Sequence, residues 1–174
     1  MQMLRLQYTE LESGGVTAAN EAVKSLKLIQ IACGAIYDDD GGVSFIDASP
    51  RIHLLKEAVE QAGGKVIVFV PLRSVLGVLI EELSKPYTVA TVHGGTPANT
   101  RNKIFMAFQQ SPSPQILIAH PRCMSHGLTL TAASTIVWYA PYPSNETYGQ
   151  ANGRITRPGQ ERHTTIVHIA ATKM

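Results

Sequence analysis

A series of short, continuously apolar runs, separated by segments with helical spacing, most constrains the fold. The clearest runs are Val66–Val70 and Ile116–Ala119. A run of this length without polar alternation is typical of a strand buried on both faces, as in parallel sheets. Between the runs, apolar residues recur every three or four positions, as at Val75, Leu79 and Leu83. The alternation predicts βαβ units and therefore an α/β domain, whose mainly parallel central sheet has helices on both faces.

Two proline-containing sites predict where helices begin. At Ser49-Pro50 the proline suits the first helical position. At Thr96-Pro97 the threonine is expected to be the N-cap. The first of these helices is expected to bury a stripe formed by Leu54, Leu55, Ala58, Val59 and Ala62. Further strands are predicted at Thr88–Val92, Thr135–Trp138 and Thr164–Ile169.

The first part of the chain has a different organisation. Thr17 is the predicted N-cap of a helix that continues through Ile29 and ends near Gly34. The turn Asp38–Gly42 then predicts a β-hairpin. A calcium loop is the alternative for its three aspartates, although the later ligands of an EF-hand are absent. We therefore divide the chain into an extension over residues 1–49 and a main domain over residues 50–174.

Composition limits the class of protein. Of the 174 residues, 44% are hydrophobic and 16% are charged, with a net charge of +2, which suits an ordinary globular core. The two cysteines, Cys33 and Cys123, are far apart, so we expect neither a disulfide nor a zinc site. The sequence has no signal peptide and no apolar run long enough for a membrane span. We expect a cytoplasmic protein without a membrane partner.

The strongest local signal is the segment Gln150-Ala151-Asn152-Gly153-Arg154-Ile155-Thr156-Arg157-Pro158-Gly159-Gln160. Arg154 and Arg157 are three positions apart, which would place them on the same side of one helical turn. Arginine keeps its charge and presents a rigid fork of donors that matches phosphate oxygens. The alternative is a solvated basic turn, since surface charge is common.

Two further segments could meet phosphate groups. His120 and Gly127 lie in the loop after the run Ile116–Ala119, where backbone N–H groups can bind an anion. His120 and His126 could instead form a metal pair, but no third ligand has a suitable spacing.

The second of these segments is His93-Gly94-Gly95, with Arg101 one helical turn beyond it. The free N–H groups at the start of this helix would suit a nucleic-acid phosphate. A glycine-rich turn before a helix is the simpler alternative.

The order and spacing of these segments resemble helicase motifs IV to VI. The strand and helix from Val66 to Leu83 come first, then His93-Gly94 with Arg101, then the Ile116–Ala119 strand with its glycine loop. The last motif ends in Arg-x-Gly-Gln. This pattern is similar to the C-terminal lobe of Swi/Snf-type superfamily-2 ATPases, most of all their phage and prophage branch. The resemblance implies a RecA-like three-layer α/β/α lobe.

The resemblance also implies a role for each matching residue. Arg154 and Arg157 match the two motif VI arginines that reach the phosphates of ATP, and Gln150 matches the glutamine that opens the motif. Gly127 matches the motif V loop, which touches the nucleotide cleft and the nucleic-acid backbone. The positions that match contacts to one nucleic-acid strand are Arg73, His93, Gly94, Arg101 and His120.

The chain departs from the family pattern at a few positions. His120 stands where many relatives carry threonine or serine, and Cys123-Met124 and Thr129 alter motif V. No G-x-x-x-x-G-K-[ST] loop occurs, so ATP with Mg²⁺ would be bound mainly by an N-terminal RecA-like lobe outside this chain. Because the chain ends soon after its last predicted strand, we expect a piece of a longer protein.

These features lead to one functional expectation and two rivals. We expect the C-terminal lobe of an ATP-dependent DNA helicase or translocase, inactive by itself, with double-stranded DNA as partner and RNA as the alternative. The first rival is a catalytically inactive DNA- or protein-binding module with the same fold. The second is an unrelated doubly wound domain such as a flavodoxin-like one, for which Pro71-Leu72-Arg73-Ser74 would be a poor phosphate loop.

Overall fold

A computed structural model describes residues 21–38, 40–124 and 128–170. Within these ranges no helix has the length and apolar character needed to cross a membrane. Two short 3-10 turns, Arg73–Val75 and Pro121–Met124, accompany the regular elements. In chain order, those elements are α1 (Glu21–Cys33), β1 (Ala35–Tyr37), β2 (Val43–Phe45), α2 (Ser49–Ala62), β3 (Lys65–Phe69), α3 (Leu76–Ser84), β4 (Val89–Val92), α4 (Ala98–Gln110), β5 (Ile116–Ala119), β6 (Ala133–Trp138), α5 (Asn145–Asn152) and β7 (Thr165–His168).

The centre of the molecule is a five-stranded sheet in the order β4-β5-β3-β6-β7. Every neighbouring pair in it is parallel. The four residues Val66–Phe69 of the central strand are fully buried, which explains the lack of polar alternation in that run. The predicted parallel α/β fold is thus confirmed.

Two hydrophobic cores lie on opposite faces of the sheet, as expected for three layers. On one face, α2 and α3 bury Leu55, Val59, Leu79 and Leu83 against the strands. On the other face, α4 and α5 lie over a core that contains Phe69, Phe105, Phe108, Trp138 and Ala151.

The predicted hairpin precedes the sheet, and Gly34 joins it to α1. Gly34 has a φ of 88°, in the left-handed region that favours glycine. Its carbonyl accepts a hydrogen bond of 2.9 Å from Ile46 N. A Cβ atom at this position would lie 2.5 Å from the Cβ of Ala48, so a larger residue has no room. Thr17, the predicted N-cap of α1, lies outside the described residues.

Two predictions about helices are wrong. Thr96 does not cap α4, because Pro97 occupies the N-cap position and the Thr96 hydroxyl accepts a hydrogen bond from His93 N instead, at 3.0 Å. Leu54 is not part of the buried stripe, since its side chain is 48% exposed. The buried line of α2 runs through Arg51, Leu55 and Val59, four residues apart, and the neighbouring position therefore faces solvent.

Candidate functional site

The carboxyl ends of the parallel strands gather several of the predicted residues. Phe69, Val92 and Ala119 end β3, β4 and β5, and both Phe69 and Val92 are in register with Ala119. The loops that follow carry Arg73, His93 with Gly94, and His120. Ligands of open α/β sheets bind at this edge, so the sequence places these residues where a ligand would be met. We call this group, together with Arg101, the edge surface.

Arg73 and His93 lie close together at Gly95. A Cβ atom on Gly95 would be 3.1 Å from His93 Cε1 and 3.6 Å from Arg73 Nη1. His93 Nδ1 accepts a hydrogen bond of 3.0 Å from Gly95 N, which fixes the ring over the turn. Arg73 and Gly94 are exposed, and His93 is half-buried. The turn therefore presents a cation, an imidazole edge and open backbone side by side.

His120 is held more tightly than a free surface contact would be. The ring is half-buried, and its Nδ1 accepts a hydrogen bond of 3.2 Å from Arg122 N. It meets the Tyr142 ring edge-on, with 6.0 Å between the ring centres. Burial lowers the pKa of His120, and the charge of Arg122 lowers it further, against a hydrogen bond to the Pro71 carbonyl. The lowered pKa favours the neutral ring, which brings a polar edge to the edge surface.

Arg101 turns towards the protein. Its guanidinium lies close enough to Cys123, a buried thiol in the 3-10 turn after β5, to act on the ionisation of that thiol. Burial raises the pKa of the Cys123 thiol, and the nearby guanidinium acts in the opposite direction. The first turn of α4 therefore lies beside the segment that leaves β5.

Arg154 and Arg157 lie away from the edge surface, in a loop that follows α5 and that we call the arginine loop (residues 153–160). The helix begins with Ser144 as N-cap, whose hydroxyl accepts a hydrogen bond of 3.2 Å from Thr147 N. It ends at Asn152, and the expectation that both arginines share one helical turn is wrong. The backbone continues in tighter turns, since Arg154 N donates to Ala151 O and Ile155 N to Asn152 O, three residues back.

The tight turns direct the two arginines into different surroundings. Arg154 is buried, with 5% of its surface exposed, whereas Arg157 is half-buried. Arg157 Nε donates to Gly153 O at 3.1 Å. Burial lowers the pKa of Arg154, and the positive charge of Arg157 lowers it further.

The Arg154 guanidinium has unmet hydrogen-bonding capacity. Within the described residues, its buried Nε and Nη1 atoms have no hydrogen-bond partner, and no carboxylate forms an ion pair with it. A buried donor without a partner costs about 1–3 kcal/mol, and more when it is charged. An anion would relieve this cost, because it would accept hydrogen bonds from the unpartnered donors.

The other predicted nucleotide contacts are less informative. Gln150 is exposed on α5 and donates to Glu146 Oε1 at 3.0 Å. Gly127 and His126 lie outside the described residues. In the described part of the chain, no group of three or more His, Cys, Asp or Glu side chains could hold a metal ion.

Two residues hold the arginine loop in place through contacts that the sequence pattern did not predict. Asn152 Oδ1 accepts a hydrogen bond of 2.9 Å from Trp138 Nε1, and this buried bond fixes the end of α5 on β6. Gln160 Nε2 lies 2.8 Å from Ala133 O, where β6 begins. The motif ending Arg-x-Gly-Gln includes Gln160, but a motif does not predict which groups the side-chain amide bonds.

Fold and site together define a RecA-like lobe: a parallel sheet between two helical layers, with an unpartnered arginine after the helix that follows β6. A family model described as the helicase conserved C-terminal domain matches residues 50–159. The chain belongs to this helicase C-terminal domain family.

Individual relatives agree with the Swi/Snf resemblance. "Switch 2" of Arabidopsis thaliana is 30% identical over 161 residues, which cover 84% of this chain and 18% of that protein. "Putative protein p41" of Acyrthosiphon pisum secondary endosymbiont phage 1 is 30% identical over 166 residues, which cover 93% of this chain and 34% of that protein. The chain thus spans about a third or less of the length of these relatives.

A solved structure shows the same fold. The C-terminal part of the Fun30 ATPase domain superposes with a TM-score of 0.60 at 25% identity, over 67% of this chain and 38% of that one. The expected lobe of a Swi/Snf-type superfamily-2 protein is therefore confirmed.

Proposed function

We propose that this chain is the second lobe of an ATP-dependent DNA translocase or helicase. In this proposal, a first RecA-like lobe of the same protein binds ATP with Mg²⁺, and this lobe supplies Arg154 and Arg157 to the phosphates when the two lobes close. Arginines that meet a transferred phosphate stabilise the charge that develops on it.

The observation that carries the proposal is the buried Arg154 guanidinium, whose Nε and Nη1 have no partner in the part of the chain that the structure describes, beside a second arginine. Two cations held together without an acidic partner are unfavourable until an anion arrives. A structural arginine would have carbonyl or carboxylate acceptors, as the buried Arg51 has. Because Arg154 lacks, within the described ranges, the acceptors that Arg51 has, we infer that a phosphate group is the ligand of the arginine loop.

The residues of the chain fit one side of an ATP site and not the other. Arg154 and Arg157 would hold phosphate oxygens, but the sequence has no Gly-rich loop ending in Lys-Ser or Lys-Thr to bind the rest of the triphosphate. Binding of the magnesium-bound nucleotide therefore falls to the first lobe. When bound, ATP supplies the transferable phosphoryl group, and this chain contributes positive charge and orientation.

We further propose that the edge surface follows one strand of DNA. Arg73 and Gly94 are exposed, and His93 lies at the same turn, which suits contact with backbone phosphates. Arg101 lies beside Cys123, and His120 accepts a hydrogen bond from Arg122 N, so in this proposal they shape the surface and contribute less to binding. RNA is the alternative strand, and direct comparison of the two nucleic acids would distinguish them.

The test compares the isolated chain with a polypeptide that joins it to its first lobe. We expect no ATP hydrolysis from the chain alone and nucleic-acid-stimulated hydrolysis from the joined protein. In the joined protein, Arg157→Ala should lower kcat roughly 1,000-fold with little change in nucleic-acid affinity, because the arginine acts on the phosphate. An unchanged kcat would overturn the proposal.

The same comparison separates the proposal from a binding module that has lost catalysis. A binding module would bind nucleic acid or protein with no hydrolysis even when joined to the first lobe. Hydrolysis by the isolated chain would contradict both possibilities.

A further inference from the structure

Four groups converge on the segment Leu130–Ala133, which we call the junction segment. They are the Arg154 carbonyl and the side chains of Gln109, Gln160 and Arg162, the last of which donates from Nη2 to Ala132 O. The junction segment connects the loop that follows β5 to the start of β6. Its Leu130 N donates a hydrogen bond of 2.9 Å to Arg154 O, inside the arginine loop. The junction segment therefore touches the backbone that carries the unpartnered guanidinium.

Helix α4 holds the same segment from the other side. Gln109 Nε2 donates to Thr131 Oγ1 at 3.1 Å, and Ala132 N donates to Gln109 Oε1 at 3.0 Å. Arg101, in the edge surface, belongs to the same helix. One rigid element thus runs from the edge surface to the junction segment.

Gln160 joins the junction segment to the arginine loop through three carbonyl groups. Its Nε2 lies 2.8 Å from Ala133 O, 3.3 Å from Thr131 O and 3.2 Å from Ile155 O. Its Oε1 accepts a hydrogen bond of 3.1 Å from Arg162 N. This set of partners fixes the orientation of the amide, because a flipped amide would place its oxygen against the three carbonyl oxygens.

We propose that Gln160 is a positioning residue, whose amide holds the arginine loop on the junction segment and so sets where Arg154 and Arg157 stand. The amide crosses between two stretches of backbone, with Ile155 O on one side and Ala133 O on the other. Because α4 grips the same junction segment, this amide and the Leu130–Arg154 bond together join the arginine loop to the helix that carries Arg101. The consequence for ATP hydrolysis rests on the proposed function, but the positioning itself does not.

The first test uses the full 174-residue chain and needs no ATP. Gln160→Glu has the same shape and keeps an acceptor for Arg162 N, but it turns a carboxylate towards three carbonyl oxygens. We expect the amide of Leu130 to exchange its hydrogen at least about tenfold faster, with the amides of β3 and β5 unchanged, since only a local contact opens. Gln61→Glu makes the same chemical change at an exposed position of α2 and is the matched control.

Two results of this test would overturn the positioning role. One is a Leu130 exchange rate that stays within about twofold of the original. The other is faster exchange throughout the sheet, which would show a general loss of stability. Gln160→Met, which keeps the length and removes the polar atoms, should give the same local opening without the added charge.

The second test uses the polypeptide that joins this chain to its first lobe. Gln160→Glu should lower kcat for ATP roughly ten- to a hundredfold, because a small displacement of a catalytic group has effects of this size. The KM for ATP and the affinity for nucleic acid should change by less than about twofold, because those contacts are made elsewhere. At a temperature where the original protein and Gln160→Glu are both folded, a purely structural role would not lower kcat while leaving KM and nucleic-acid affinity unchanged.

The two tests distinguish failure of this inference from failure of the proposed function. If Gln160→Glu opens the Leu130 amide but leaves kcat unchanged while Arg157→Ala lowers it, the inference is overturned and the proposed function stands. If Arg157→Ala also leaves kcat unchanged, the proposed function is overturned, and the exchange result still decides whether Gln160 holds the loop.

Discussion

Arg51 and Arg154 are both buried cations, but their surroundings differ in a way that bears on stability. The Nη1 atom of Arg51 donates to the carbonyls of Tyr139 and Ile169, the latter at 2.7 Å, and joins the ends of β6 and β7. Arg154 Nε and Nη1 have no such acceptors among residues 21–38, 40–124 and 128–170. A buried charge is tolerated when it is hydrogen-bonded and costly when it is not.

Replacing Arg154 with a neutral residue of similar length should therefore stabilise the chain. We expect Arg154→Met to raise the free energy of unfolding by about 1 kcal/mol, because it removes unpartnered buried donors. Chemical denaturation followed by circular dichroism would measure the change.

Arg51→Met is the matched comparison. It should lower the free energy of unfolding by about 2 kcal/mol, since two buried carbonyls would lose their donor. A loss of stability in Arg154→Met would show that this guanidinium has favourable contacts after all.

At the scale of elements, the joint between α1 and the hairpin depends on one glycine. Gly34→Ala should lower the free energy of unfolding by about 2 kcal/mol, because an added Cβ would meet Ala48 at 2.5 Å and the φ of 88° disfavours any side chain. Thermal unfolding would report the loss.

Gly77→Ala is the control for this substitution. Gly77 lies in α3, and a Cβ atom there would have nothing within 4 Å. This variant should gain about 0.5–1 kcal/mol from helix propensity. If Gly34→Ala were equally harmless, the close approach to Ala48 would not constrain the hairpin.

The elements also show which features of the fold can be predicted from sequence patterns. The runs Val66–Val70 and Ile116–Ala119 predict buried parallel strands correctly, because hydrophobic burial acts at the level of whole segments. The start of α4 was misplaced, since Thr96 is a good N-cap by residue type but bonds His93 N across the turn. The shape of the arginine loop could not be predicted, because turns after a helix depend on contacts such as Gln160 with Ala133, which are far apart in sequence.

For the whole molecule, we expect stability to depend on pH through two buried side chains, Cys33 and Tyr139. Burial raises the pKa of the Cys33 thiol from 9.0 to about 12, and burial also raises the pKa of Tyr139 above its usual 10.0. Above pH 9 the unfolded chain releases protons that the folded chain retains, so stability is intact below that pH and falls as pH rises.

Cys33→Ala isolates the contribution of the thiol. Relative to this variant, the free energy of unfolding of the original chain should fall by about 1.4 kcal/mol for each pH unit above pH 9. Urea denaturation at a series of pH values would measure it, and a difference that stays constant would contradict the raised pKa. Tyr139→Phe should show the same trend, beginning near pH 10.

The hydrogen bond between Trp138 and Asn152 has an optical consequence. Trp138 is the only tryptophan of the chain, and its ring is also 4.9 Å from the ring of Tyr148, on α5 itself. Because indole emission responds to the partner of its N–H group and to nearby rings, the native fluorescence of the chain reports on the end of α5, where the arginine loop begins. In the isolated chain, a change at the end of α5 should therefore alter the tryptophan emission without any added label.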